Sequence, residues 1–279
     1  MDELGFEIAN ALPWFPHEAE TPYVLVRVSD QHANVWAVAM REAFRRCYLT
    51  DEFLQARAQE LERGNGGTLE ECQGMIIRSK SPDAGSIMSG DLGEILIYFY
   101  QAVKAYPQVA FGPKKWRLKE NRTKAAPYSD VLHFILPSWP TSTPNDVLLC
   151  SEVKSKATRN KKWSPIEEAI SGCSADRISR LAKTLVWLRD RAIGENLGNV
   201  QIAHLNRFIN ANDHPAAIKR FHAVAVICSN LVEAELEKIP TLESADYTLV
   251  IIAVPNLHAV YTEVFEAVKE SNLLGGQTQ

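Results

Sequence analysis

The alternation of apolar and polar positions along the chain predicts a succession of strands. Two near-continuous apolar runs, 221–228 and 247–254, are typical of strands that are buried on both faces. Segments 128–136 and 146–154 also predict strands, and the Pro/Ser/Thr-rich stretch between them predicts an antiparallel hairpin. A β-rich run at 21–28 predicts one more strand near the N-terminus.

Apolar residues at helical spacing predict helices between and before these strands. The helix over 91–106 is apolar on nearly all sides, and we therefore expect it to be buried. The helix over 176–191 has an apolar stripe on one face and basic residues away from it. A Ser-Pro-Ile-Glu sequence that begins at Ser164 predicts the capped start of another helix. Further helices are predicted over 34–48, 51–63, 197–209, 231–239 and 256–270.

The order of these elements predicts an α/β protein with a mixed central sheet flanked by helices, because strands alternate with helices in the last two thirds of the chain. A chain of 279 residues is long enough for one large domain or two small ones. We expect residues 1–85 to form an N-terminal α+β elaboration and residues 86–279 to form the main domain.

Composition narrows the function classes further. No apolar run approaches the roughly 18 residues needed to span a membrane, and the acidic N-terminus does not resemble a signal peptide, so no membrane is expected. The five cysteines are scattered without a C-x-x-C pair, which argues against a zinc site or a disulfide framework and favours the cytoplasm. The net charge of -4 excludes a protein that coats DNA through overall positive charge.

Four charged side chains stand out because their surroundings are apolar. Glu152 and Lys154 end a predicted strand, and positions two apart share one face of a strand. Asp130 lies near the start of the preceding strand, so a hairpin allows it to face Glu152. Glu94 is a lone carboxylate in an apolar helix, and we expect it either to face solvent or to converge on the same site.

Two neighbouring carboxylates repel each other unless a cation lies between them or one is protonated. Carboxylate oxygens suit a hard ion such as Mg²⁺ or Mn²⁺, which activates a bound water and stabilises charge on a phosphate. The pattern therefore predicts a metal-dependent nuclease with the catalytic residues Asp130, Glu152, Lys154 and Glu94. The three carboxylates Asp130, Glu152 and Glu94 are the predicted metal ligands. The alternative is an exposed strand whose Glu and Lys form surface ion pairs.

Basic residues precede and follow this group in sequence, and such segments attract a nucleic-acid backbone. The candidate DNA-binding residues are Arg117, Lys119, Lys124, Lys156, Arg159, Arg177 and Arg180. Solvated loops without a ligand are the alternative interpretation. For Trp116 and Trp163, which lie in the same segments, packing is the favoured role.

The order of these motifs resembles the PD-(D/E)xK superfamily, and it is most similar to the nuclease subunit of the Hachiman anti-phage defence system, the HamA family. The chain departs from the family pattern in two places, since no proline precedes Asp130 and Val131 stands where glycine is common. The resemblance extends over about residues 90–191 and rests on Gly93-Glu94, Arg117-Leu118-Lys119, Ser129-Asp130 with His133, and Ser151 to Lys154.

The resemblance implies a restriction-endonuclease-like core, divalent-metal hydrolysis of DNA and a helicase partner. It also implies an activity that is restrained until infection or DNA damage is sensed. The chain has no Walker A motif, so any opening of a duplex must come from another chain. Two alternatives stay open, namely a catalytically inactive nucleic-acid-binding or scaffold subunit with the same fold, and an RNase.

Two other chemically reactive residues are expected to be structural. His133 is three residues from Asp130 on the same strand and therefore faces the opposite side, where packing or hydrogen bonding is the expected role. Cys150 follows Leu148 and Leu149, so we expect a buried thiol and not a nucleophile.

Overall fold

The computed structural model describes residues 3–19, 22–65, 67–83, 85–160, 162–238 and 244–272. Its strands are β1 (His17–Ala19), β2 (Val24–Arg27), β3 (Val131–Ile135), β4 (Val147–Lys156), β5 (Ile218–Cys228) and β6 (Thr248–Val254). They form one sheet in the order β1-β2-β6-β5-β4-β3. The four inner strands are parallel, whereas β1 and β3 run antiparallel to their neighbours. The predicted α/β class with a mixed sheet is therefore confirmed.

Helices cover the sheet and fill the connections between strands. None of them, within the described ranges, is long and apolar enough to cross a membrane. A π-helical turn, Asp176–Arg180, joins α6 to α7. The helices are α1 (Asp30–Ala39), α2 (Arg41–Tyr48), α3 (Asp51–Asn65), α4 (Leu69–Lys80), α5 (Gly85–Ala105), α6 (Pro165–Ala175), α7 (Leu181–Gly194), α8 (Ile202–Ile209), α9 (Val232–Leu236) and α10 (Leu257–Lys269).

Several helix boundaries differ from the prediction; for example, α5 begins at Gly85 and α8 begins at Ile202. The segment 34–48 was expected to form one helix, but it forms parts of α1 and α2, which meet at Met40. Helix α4 was not predicted, although a capping box between Thr68 and Glu71 marks its start. The first residue of the predicted strand 21–28 and the last of the predicted helix 231–239 lie outside the described residues.

The two faces of β4 contact different helices, because successive side chains of a strand point to opposite sides. Val153 and Ser155 face α5, where Ser89 Oγ lies 2.8 Å from Ser155 Oγ. Glu152 faces α6 at Gly172. Helix α5 is almost entirely buried, as its all-round apolar pattern predicts.

The N-terminal segment lies in the same sheet and core as the rest of the chain. Strand β2 pairs with β6 through Val24 and Val250. The ring of Phe6 lies 5.3 Å from that of Phe99, and the ring of Phe44 lies 6.2 Å from that of Phe265. The segment expected as an N-terminal elaboration therefore completes the sheet that residues 86–272 begin.

Candidate active site

The β3–β4 register brings the two principal carboxylates together. Val131 pairs with Ser151 in the antiparallel ladder, so the next position sets Asp130 opposite Glu152. Residues in such positions have Cβ atoms about 5 Å apart. Asp130 Oδ2 also accepts a hydrogen bond of 2.8 Å from the backbone N–H of Val153, which holds it against β4. The predicted antiparallel hairpin is confirmed, and so is the predicted placement of Asp130 beside Glu152.

Glu152 lies between two cations on the face of β4 that packs against α6. Lys154 projects from the same face, and its Nζ lies 2.5 Å from Glu152 Oε1. Arg180 Nη2 donates to Glu152 Oε2 and, at 2.9 Å, to the carbonyl of Gly172. Arg180 Nε donates to Asp176 Oδ1 at 2.5 Å. With an exposed fraction of 3%, Glu152 is a buried carboxylate whose two oxygens each meet a positive charge.

Glu94 reaches the site from α5 and does not face solvent. Its exposed fraction is 7%, and its Oε2 accepts a hydrogen bond of 2.9 Å from Trp116 Nε1. Burial, followed by repulsion from Asp130 and Asp91, raises the pKa of Glu94 well above its usual range. Of the two outcomes that the sequence left open for Glu94, exposure to solvent is excluded, and convergence on the site of Glu152 stays a prediction.

Burial shifts all three carboxylates towards the protonated form, and the charge of Asp130 adds to this effect at Glu94 and Glu152. Burial, and then the charge of Asp130, raises the pKa of Glu152 to about 7. Burial also raises the pKa of Asp130, although Lys154 opposes that effect. Burial alone would lower the pKa of Lys154, but Asp130 and Glu152 raise it above its ordinary value. Such concentrated negative charge is typical of functional sites, and a cation would relieve it.

The carboxylate oxygens of the site suit a hard divalent ion. In this structure, however, the carboxylates of Glu152 and Glu94 are bonded to other protein side chains. Carboxylate oxygens are the ligands that Mg²⁺ prefers. Within the described ranges, however, no three His, Cys, Asp or Glu side chains are grouped so as to hold a metal. Both oxygens of Glu152 are engaged by Lys154 and Arg180, and Glu94 is bonded to Trp116.

A model of the HamA family matches residues 12–268 of the 279. The chain belongs to the HamA family. The matched range includes α5, the β3–β4 hairpin, α6 and α7, so every candidate catalytic residue lies inside it. Membership confirms the family resemblance seen in the sequence and associates the protein with Hachiman anti-phage defence. No curated protein sequence matches the chain.

The HamA site contains charged residues whose role the sequence did not reveal. Asp176 is buried and accepts a hydrogen bond of 2.6 Å from Ser129 Oγ. Lys115 is buried, its Nζ donates to the carbonyl of Ser129, and burial lowers its pKa. Asp176 and Arg180 are four residues apart on a helical turn, a spacing that favours ion pairs. This spacing is visible in the sequence and could have predicted their contact.

Lys119 and Lys156, two of the predicted DNA-binding residues, are interior side chains in this HamA chain, and Arg117 is half-buried, which corrects that interpretation. Lys119 is 9% exposed and its Nζ lies 2.5 Å from Asp91 Oδ1. Lys156 Nζ lies 2.8 Å from Glu235 Oε1, and both residues are buried. Arg117 donates to a backbone carbonyl at 2.7 Å. These cations neutralise buried acids or bond to buried backbone groups, so they do not form a phosphate-binding surface.

The other four candidates occupy different environments. Arg177 forms a surface ion pair of 2.6 Å with Asp246. Arg180 lies in the carboxylate site, as described above. Lys124 and Arg159 are exposed. Positive charge that solvent can reach near the site is therefore sparser than the sequence indicated.

His133 and Cys150 have the structural roles expected of them. His133 is fully buried, and its Nδ1 lies 2.8 Å from Gln101 Oε1. Burial lowers the pKa of His133 to about 3, and burial raises the pKa of the Cys150 thiol well above its usual value. Trp116 is buried as well, in agreement with the packing role favoured for it.

Proposed function

We propose that this HamA protein is a metal-dependent nuclease that hydrolyses phosphodiester bonds of DNA. Asp130, Glu152 and Lys154 are its catalytic residues, with Glu94 beside them. The observation that carries the proposal is the register of β3 and β4, which sets Asp130 opposite Glu152 with Lys154 on the same face. The mixed sheet with helices on both faces is consistent with the restriction-endonuclease-like core that we propose for it.

In this proposal Asp130 and Glu152 would hold Mg²⁺ or Mn²⁺, with Glu94 as the further candidate ligand. When bound, the ion supplies Lewis acidity and stabilises charge on the phosphate. Glu152 must first exchange at least one of its present cationic partners. Lys154 keeps its positive charge at neutral pH, because Asp130 and Glu152 raise its pKa against the effect of burial. It is therefore suited to contact a phosphate oxygen or to orient a water molecule.

We further propose that the protein is the effector subunit of an anti-phage complex with a helicase. Membership of the HamA family supports the role in defence. The absence of a Walker A motif from the sequence supports a second chain as the motor that separates strands.

A cleavage assay tests the nuclease proposal. The protein, alone and with the helicase of its own system, is incubated with matched DNA and RNA substrates in Mg²⁺ or in EDTA. We expect DNA cleavage only with the metal. Glu152→Gln and Lys154→Ala should each abolish cleavage while DNA binding stays largely intact. Glu168→Gln and Lys183→Ala, which change exposed residues, are the matched controls and should cut like the unaltered protein.

A catalytically inactive scaffold is the second candidate, and two observations favour it. Glu152 is already neutralised by Lys154 and Arg180, and the described residues offer no ready group of three metal ligands. DNA binding without cleavage under every condition would support the scaffold. Unchanged cleavage in both Glu152→Gln and Lys154→Ala would place the active site elsewhere. Cleavage of RNA in preference to DNA would make the protein an RNase.

A further inference from the structure

A cavity with aromatic and basic walls lies next to Asp130. Its volume is about 360 Å³, and its lining includes Lys124, Tyr128, Trp187 and Arg191. Tyr128 precedes Asp130 by two residues, so their Cα atoms are at most about 7.6 Å apart. The cavity is therefore within about one nucleotide of the candidate active site.

Tyr128 has a backbone conformation that tyrosine rarely adopts. Its φ is 65°, in the left-handed region that favours glycine and asparagine. Its side chain is nevertheless 41% exposed, and its ring meets that of Trp187 edge-on, with centroids 6.0 Å apart. Unfavourable backbone conformations of this kind concentrate at functional sites. A large aromatic side chain at this position, partly open to solvent beside Trp187, indicates that the ring itself is used.

Positive charges lie beside the Trp187 ring. Arg191 Cζ is 5.7 Å from the centre of the Trp187 ring, and Lys115 Nζ is 6.0 Å from it. Lys124 is exposed at the edge of the cavity. Arg191 also forms ion pairs of 2.9 Å with Glu120 and with Glu195, but both acids are exposed, and such surface pairs exchange at little cost. Aromatic faces flanked by exchangeable cations are the combination that binds a base together with its phosphate.

We propose that Tyr128 is a stacking platform for an unpaired nucleobase of the strand that lies at Asp130, with Lys124 and Arg191 facing the adjoining phosphate. Bases inside a duplex are stacked on both faces, so an aromatic ring reaches only a base that is single-stranded or turned out. The cavity therefore assigns single-stranded DNA as the substrate class. The assignment of a cut strand rests on the proposed nuclease function, whereas stacking itself requires no cleavage.

Fluorescence polarisation of a labelled 12-nucleotide DNA strand in EDTA tests the platform. Tyr128→Asn keeps a residue that tolerates the left-handed backbone but removes the ring, and Tyr128→Phe retains the ring. We expect about tenfold weaker binding for Tyr128→Asn, the usual effect of losing one base–aromatic stack, and binding within twofold of the unaltered protein for Tyr128→Phe. Phe53→Asn removes an exposed aromatic residue from another part of the surface and serves as the control.

A second comparison, between an intact and an abasic strand on the unaltered protein, does not depend on the folding of a variant. A strand with abasic positions should bind about tenfold more weakly than the intact strand. Blunt duplex DNA should bind equally to the unaltered protein, Tyr128→Asn and Tyr128→Phe. Equal binding of intact and abasic strands, or no loss in Tyr128→Asn, would overturn the proposal. This assay measures binding and not cleavage. Its result is therefore independent of whether Glu152 is catalytic, and the two proposals can fail separately.

Discussion

At the scale of single residues, the charge balance at Glu152 controls what the site can do. Transferring a carboxylate from water into the protein interior is costly unless positive groups contact it. Lys154 and Arg180 each contact one of its oxygens. A divalent ion at Asp130 and Glu152 would compete for the same oxygens, so Arg180 is a resident counter-charge that the ion must displace.

Arg180→Ala tests this competition. We expect Mn²⁺ affinity to rise about tenfold, because Glu152 loses one competing cation, a change of about 1.4 kcal/mol in binding free energy. Without metal, the free energy of unfolding should fall by about 1.5 to 3 kcal/mol, because a buried carboxylate loses a charged hydrogen bond. Isothermal titration calorimetry and urea unfolding measure the two effects. Arg177→Ala, which breaks only an exposed pair, is the control. Unchanged or weaker Mn²⁺ binding in Arg180→Ala would contradict the competition.

His133 gives the fold a sensitivity to acid. Burial lowers its pKa from 6.5 to about 3, so between these values the unfolded chain binds a proton that the folded chain does not. Stability is therefore complete above pH 6.5 and decreases by about 1.4 kcal/mol per pH unit as the pH falls towards 3. His222, whose pKa burial lowers to about 4, adds to the same trend.

Urea unfolding between pH 4 and pH 7 measures this dependence. His133→Gln should have a smaller decrease in stability per pH unit than the unaltered protein, because one titrating group is removed. His258→Gln changes an exposed histidine and should keep the original pH dependence. An identical slope in His133→Gln would show that His133 is not the residue responsible.

At the scale of secondary-structure elements, the close approach of α6 to β4 gives Glu152 its position. A Cβ atom added to Gly172 would overlap the carboxylate of Glu152. Glycine at this point of α6 therefore allows the carboxylate to lie beneath the helix, where Arg180 reaches it. The helix and the strand position the side chain together, and neither does so alone.

Gly172→Ala is expected to displace the Glu152 carboxylate while the fold is retained. Alanine is favoured over glycine in a helix by about 1 kcal/mol, which offsets part of the cost of the displacement. We expect at least a tenfold loss of Mn²⁺ affinity and of any DNA cleavage. Gly194→Ala, at the end of α7 with no atom within 4 Å of the added Cβ, is the matched control. If Gly172→Ala bound metal like the control, this packing would not be what positions Glu152.

At the scale of the whole molecule, one sheet connects both ends of the chain. Strand β2 lies between β1 and β6, and it pairs with β6 along its length. Phe6 and Phe44 pack against residues of α5 and α10, respectively. Without the N-terminal segment, β6 would be an apolar edge strand with unpaired backbone groups, a known cause of aggregation.

A chain that begins at residue 86 tests whether the rest of the protein can fold without the N-terminal segment. We expect it to aggregate or to lack a cooperative unfolding transition, because it exposes the β6 edge and the partners of Phe6 and Phe44. Size-exclusion chromatography and thermal unfolding by circular dichroism, compared with the full chain, measure the effect. A folded monomer with a cooperative transition would instead establish residues 86–279 as an independent domain.

The sequence by itself determined the local parts of the structure. Apolar runs located β3, β4, β5 and β6 and established the α/β class, because strand patterns depend on neighbouring residues. The same alternation put Glu152 and Lys154 on one face, and the short connection put Asp130 opposite Glu152. Helix α4 was not predicted, although its capping box and the helical spacing of Cys72, Ile76 and Ile77 both indicate it.

Only the tertiary structure decided where the long charged side chains go. Lys119 and Lys156 turn inward to buried acids, and Arg180 turns to Glu152 instead of to solvent. Lysine and arginine have flexible apolar stems that reach either water or a buried partner. Which of these they reach depends on acids that are distant in sequence, as Lys156 is from Glu235, and a one-dimensional pattern contains no information about such pairs.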